Sequence, residues 1–264
     1  SFVYEPQKGF RPILLPEHPG WSLSFFTTSP DGILTAVAKN AQGIIGFFVR
    51  DGQGNWNPKG ENPVTLDTQD SNVRIRFAHF TKPHIIWLGL SSSNAKINGI
   101  QVINFETGKI NPPKNYVTTK NKPAQIPDSV KTLYKRGDNR YLATNEGLVT
   151  LFRGDETKKT LEITNSSNGL PTDVVEDVLV EPSGVIWLAT DMGICVRREE
   201  GGNWKCGSES PMPEAGHTYS LARDPQTGTI YAASEKALFR VREGRTEKLD
   251  AERFLQNAKV IDMK

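Results

Sequence analysis

Residues 168–198, NGLPTDVVEDVLVEPSGVIWLATDMGICVRR, constrain this chain more than any other stretch. They read as two β-strands joined by a Gly-bearing turn, then a second turn and a third strand. Weaker copies recur along the sequence. A fixed period in the tens of residues means a repeat architecture, in which each unit buries its faces only against its neighbours.

The turn before the second strand is written three times, as Ser29-Pro30-Asp31-Gly32, Glu181-Pro182-Ser183-Gly184 and Asp224-Pro225-Gln226-Thr227-Gly228. The strand that follows carries Thr35, Trp87, Tyr141, Trp187 and Tyr231 at equivalent positions, 44 to 54 residues apart. A small-residue segment comes next, such as Leu142-Ala143-Thr144 and Leu188-Ala189-Thr190. Three copies then have Gly and an aliphatic residue: Gly99-Ile100, Gly147-Leu148 and Gly193-Ile194. Small residues suit a tapering blade interior, and Gly suits a turn needing positive φ. Many short strands with regular turn signals and no amphipathic helix predict an all-β fold, a β-propeller of four-stranded antiparallel blades.

These residues resemble the two-component regulator propeller repeat, whose pattern is roughly N-G-L-P-x-N-x-V-x-x-I-x-x-D-x-x-G-x-x-W-x-G-T-x-x-G-L. Residues 168–194 match closely, with Asp173 for its Asn, Glu181 for its Asp and Ala189 for its Gly. Residues 126–148 match moderately, and 19–47 and 214–241 loosely. The segment 69–100 matches at its Trp and Gly and carries an insertion at 91–97. The resemblance implies a periplasmic or extracellular recognition domain that binds a protein partner in the cell envelope, or a carbohydrate. Its relatives serve as sensing parts of hybrid regulators or as scaffolds in envelope assemblies. A propeller enzyme, a lyase or glycoside hydrolase acting on a periplasmic substrate, is the alternative.

The whole chain, 1–264, reads as one propeller domain. Residues 1–15 look like a third and fourth strand joined at Gln7-Lys8-Gly9, and 258–263 like a first strand. Residues 1–16 and 255–264 would then share one composite blade, leaving no open sheet edge. That makes about six blades, with seven as the fallback. A chain starting at Ser1 is either processed or cut from a longer product.

Lys and Arg number 32 against 30 Asp and Glu, a balance that argues against a nucleic-acid surface. No run of about 18 apolar residues is present, so no helix is expected to span a membrane. If a hairpin turns about the Glu200–Gly201 bond, Cys195 faces Cys206. Opposed residues in an antiparallel pair lie ~4.5–5.5 Å apart at Cα, within reach of a disulfide. Two buried thiols are the other reading of the pair. A disulfide implies an oxidising compartment.

Binding residues are expected on loops carried by the rigid blades. The two longest, 91–98 and 115–127, offer Ser92, Asn94 and Lys96, and Lys120 and Lys122. Shorter turns offer Asn145, Glu146 and Asp191. Asp173, Glu176 and Asp177 lie on a first strand beside the channel, where a carboxylate cluster would bind Ca²⁺ or hold a general base, or simply face water. No metal site, cofactor motif or catalytic motif is predicted: G-x-S-x-G, the P-loop, C-x-x-C and the dinucleotide fingerprint are all missing. His79 and His84 flank one turn without further ligands at helpful spacing. Trp87 and Trp187 are expected to pack between blades.

Overall fold

The computed structural model describes residues 2–5, 9–12, 18–59, 64–112, 116–118, 122–153, 159–198 and 202–249. The chain divides into two compact units, Ser1–Lys114 and Asn115–Lys264, each with its own core.

The first unit opens with a hairpin of β1 (Phe2–Glu5) and β2 (Gly9–Pro12), paired from Phe2↔Pro12 to Glu5↔Gly9. Its expected blade partner, 255–264, lies outside the described residues. An antiparallel meander follows: β3 (Trp21–Thr28), β4 (Leu34–Asn40), β5 (Ile44–Arg50) and β6 (Trp56–Pro58). Here the fourth strand differs from expectation, because it comes in two pieces. β6 pairs with Phe48–Arg50 of β5, while β7 (Thr65–Asp67) takes the other half, Ile44–Gly46. Asn57 and the backbone of Gln53 and Asn55 hydrogen-bond to Asp51, which holds the β5–β6 turn tight. The second sheet is β8 (Arg74–Lys82), β9 (Ile85–Ser91), β10 (Gly99–Asn104) and β11 (Ile110–Asn111). The first strands, β3 and β8, lie against each other.

β4 shows why these strands are apolar at successive positions. Val37 points into the core shared with Phe80, Ile86 and Leu88 of the second sheet. Ala36 and Ala38 point the other way, against Phe48 and Trp56. A strand covered on both faces cannot alternate apolar with polar, and each large side chain so buried contributes about 1.5–3 kcal/mol. Phe47 and Phe48 on β5 are buried as well.

The second unit has three sheets. The first holds β14 (Thr132–Arg136), β15 (Asn139–Thr144), β16 (Gly147–Arg153) and β17 (Lys159–Thr164), extended at its edge by β12 (Tyr116–Thr118) and β13 (Pro123–Ala124). The sequence presents 115–127 as a loop. Instead β12 runs parallel to β17 and pairs with β13, and Tyr116 is buried against the sheet. Burial pushes the Tyr116 phenol up to about 12, with Arg140 opposing. The second sheet is β18 (Val175–Val180), β19 (Ile186–Thr190), β20 (Gly193–Arg197) and β21 (Lys205–Cys206). The third is β22 (Thr218–Arg223), β23 (Ile230–Ser234), β24 (Leu238–Arg242) and β25 (Arg245–Leu249).

Every residue of β19 is buried. Trp187 and Ala189 join Leu221, Ile230, Ala232 and Phe239 of the third sheet. Ile186 and Leu188 join Tyr141, Ala143 and Leu148 of the first. The Trp187 indole N–H donates to Glu181 Oε1 at 2.7 Å, so its polar edge is satisfied as its rings pack between blades. Cys195 pairs with Cys206 in register, and the two form a disulfide. The bridge fastens a two-residue strand that leads into Met212 and Ala215, both inserted in the core between the second and third sheets.

The Thr of the repeat has a structural task. Thr144 Oγ1 donates to Gly147 O at 2.7 Å and accepts from Glu146 N at 3.0 Å. Thr190 repeats this with Gly193 O and Met192 N, and Ser234 with Ala237 O and Lys236 N. Gly147 has φ +117°, and a Cβ there would stand 2.3 Å from Thr164 O. The turn therefore needs Gly twice over, for its dihedral and for its closeness to the fourth strand.

Candidate functional site

Four of the five first strands carry a β-bulge at one place in the repeat. Register shifts between Leu23 and Phe25, Ile75 and Phe77, Val175 and Asp177, and Thr218 and Ser220. The extra residues are Ser24, Arg76, Glu176 and Tyr219. Each bulge lies opposite the small-residue segment of the second strand, at Val37-Ala38, Gly89-Leu90, Ala189-Thr190 and Ala233-Ser234. Small residues give the bulged backbone room: a Cβ on Gly89 would stand 2.1 Å from the Phe77 ring. A bulge re-aims a side chain, so one residue per blade is freed from packing.

In the second unit the bulge residues gather a polar cluster from three successive sheets. Glu176 Oε1 lies 2.7 Å from Lys131 Nζ, at the entry to β14. The same oxygen is 3.4 Å from His217 Nε2, at the entry to β22. The His217 ring packs on Tyr219 with centroids 4.4 Å apart, and its backbone N–H reaches Glu235 Oε1. The Lys131 and Glu176 side chains are each 21% exposed, so the pair is reachable from solvent yet largely sheltered. His217 Nε2 is buried and makes no hydrogen bond, and Asp191 Oδ1, on the β19–β20 turn, is likewise buried without one. Such atoms retain unused capacity, which a bound molecule would satisfy.

Of the residues singled out from the sequence, Glu176 belongs to this cluster. Asp177 does not: it is buried and accepts from Leu221 N at 2.9 Å and Ser220 Oγ at 3.3 Å, stitching β18 to β22. Asp173 accepts from the Ser166 hydroxyl and from Ser166 N, bonds that lower its pKa and fix the turn before β18. Asn145 and Glu146 are exposed on the β15–β16 turn, and Asp191 sits on the β19–β20 turn beside exposed Met192.

The 91–98 loop is turned toward the protein. Ser92 Oγ, Ser93 N and Ser93 Oγ donate to Asp70 Oδ2 at 2.8, 2.8 and 3.0 Å, and Asn94 Nδ2 donates to Thr68 O. With Asn72 N on its other oxygen, the Asp70 carboxyl is held at about 2, well below its ordinary value. Lys96 is exposed on this loop. Lys122 is exposed beyond β12, and Lys120 lies outside the described residues. His84 approaches Glu106 at 3.5 Å. Among the described residues no three His, Cys, Asp or Glu side chains gather closely enough to hold a metal ion.

Sequence reasoning missed Lys131, His217 and Tyr219. No local signal marks them: His217 and Tyr219 lie beside and at the bulge of β22, and Lys131 at the entry to the unbulged β14.

No family model matches the chain, and no curated protein matches it. Among solved structures it is similar to the extracellular domain of BT4673 from B. thetaiotaomicron, described as a hybrid two component system, with TM-score 0.61 and 19% identity over 87% of this chain. The extracellular domain of BT3049 from the same organism gives 0.58 and 14% over 86%. PorZ, described as an essential surface component of the type-IX secretion system of Porphyromonas gingivalis, gives 0.50 and 13% over 87%. The chain spans 28% of the length of the first two and 29% of the third. At such identities the likeness is one of fold, and it agrees with what the repeat itself resembles. The chain is an all-β protein built of several antiparallel sheets, with a propeller-like fold.

Proposed function

We propose that this chain is a non-catalytic, extracytoplasmic recognition domain that binds a ligand or an envelope protein through the Glu176 cluster. The observation that carries this reading is the convergence of Lys131, Glu176 and His217 from three sheets, with hydrogen-bonding capacity left on His217. A polar, partly sheltered cluster beside an aromatic ring suits a hydroxyl-rich molecule such as a carbohydrate, as the repeat's resemblance implies. The extracellular placement of the BT4673 and BT3049 domains supports the location, as does the disulfide. No helix among the described residues is long and apolar enough to cross a membrane. Residues 1–264 are read here as one domain of about six blades, a count supported by five meander sheets and the additional β1–β2 hairpin.

The test is a screen of the wild-type chain against a glycan array and against envelope proteins of its source. It is repeated with Glu176→Gln combined with His217→Gln. Binding that the double variant loses supports the cluster as the site. Turnover of any array compound would overturn the non-catalytic reading.

A further inference from the structure

The first strands of the first unit carry a different charge pattern. β3 and β8 contain no Asp or Glu, while β8 begins Arg74-Ile75-Arg76. Ile75 is the partly buried member, packed against the core, and the arginines on either side are exposed. Arg76 is the residue that the bulge ejects from the ladder. Neither guanidinium makes a hydrogen bond or ion pair among the described residues. A third cation stands at the same strand entry, where Lys39 Nζ donates to Ser71 O at 3.0 Å and Val73 O at 2.9 Å. The neighbouring acid, Asp70, is already engaged by Ser92, Ser93 and Asn72.

We propose that Arg74 and Arg76 form a binding site for an oxyanion group of a ligand: a carboxylate, a sulfate or a phosphate. Guanidinium groups present forked donors that match such oxygens two at a time. Lys39 adds charge without leaving its carbonyl partners. Bulge geometry assigns Arg76 the place that Glu176 and Tyr219 hold in the second unit. The inference does not rest on the Glu176 cluster binding anything.

The test follows the Arg Nε–Hε signals of the full chain by NMR during titration with sodium sulfate, sodium phosphate and sodium acetate at constant ionic strength. Saturable shifts of Arg74 and Arg76 are expected with at least one anion, and the three arms distinguish the oxyanion preferred. Arg74→Gln with Arg76→Gln should weaken binding by at least about tenfold, while Arg242→Gln, at an exposed arginine beside Glu243, leaves it unchanged. Replacing both by Lys keeps the charge but removes the fork, and should give an intermediate affinity. Both side chains are exposed, so the melting temperature should hold; Arg76→Gln alone repeats the test with less change. Shifts that never saturate, or equal affinity in the Gln variants, would overturn the proposal.

Discussion

The two units present opposite chemistry from one backbone device. In the first, the bulge of β8 brings out Arg76 beside Arg74, with no acid on either first strand. In the second, the bulges of β18 and β22 bring out Glu176 and Tyr219, and Lys131 and His217 close on the carboxylate. The blade repeats its core and turns, whereas the bulge residue is free to vary. Where a first strand is bulged, as in four of these five sheets, surface chemistry can change at that one residue without altering the packing behind it.

The largest expected effects test whether the cores of the two units are equivalent. Trp187→Ala should cost the second unit about 3–5 kcal/mol, and also leaves Glu181 without its indole donor. Trp87→Ala should do the same in the first unit, where Trp87 is similarly buried. Hydrogen exchange resolved by segment checks this: each variant should speed exchange most in its own unit. Uniform loss across both would mean a single cooperative core.

The disulfide sharpens the contrast, since among the described residues only the second unit has one. Replacing Cys195 and Cys206 by Ala should cost about 3 kcal/mol by releasing a short closed loop in the unfolded chain. Melting curves should fall for the second unit and stay level for the first, and reductant should have no effect on the variant.

Acid should act through Asp70 in the first unit. Its folded-state pKa of about 2 lies below the ordinary 3.8, so its stabilisation is complete above pH 3.8 and is lost as pH falls toward 2. Exchange in the 91–98 loop should rise over that window, and Asp70→Asn should remove the dependence. Glu176→Gln gives the smallest change in stability, below about 1 kcal/mol for a partly exposed pair. Urea denaturation measures it. A larger loss would make the cluster a structural bracket.

Much of the blade is legible in the sequence because its turns have local causes. Gly32, Gly184 and Gly228 close first-to-second-strand turns at positive φ, as their Pro-bearing motifs suggest. Cys195 faces Cys206 in the register that a turn about Glu200–Gly201 implies. The broken fourth strand of the first sheet is not legible, since the split depends on which half of β5 each piece reaches. Nor is β12, whose place depends on Tyr116 finding an edge strand 43 residues further on. The bulges are hidden for a related reason: they exist only relative to the partner strand. Lys131 lies 45 residues from Glu176, so their meeting is a consequence of blade stacking rather than of any motif.

The most direct measurement is calorimetric titration of an array-identified compound into the wild-type chain and into the Glu176→Gln/His217→Gln variant, with the compound recovered and its mass determined. The account predicts saturable binding by the wild type, at least about tenfold weaker binding by the variant, and a compound recovered intact. Equal affinity in the variant, or a compound returned cleaved, would contradict it.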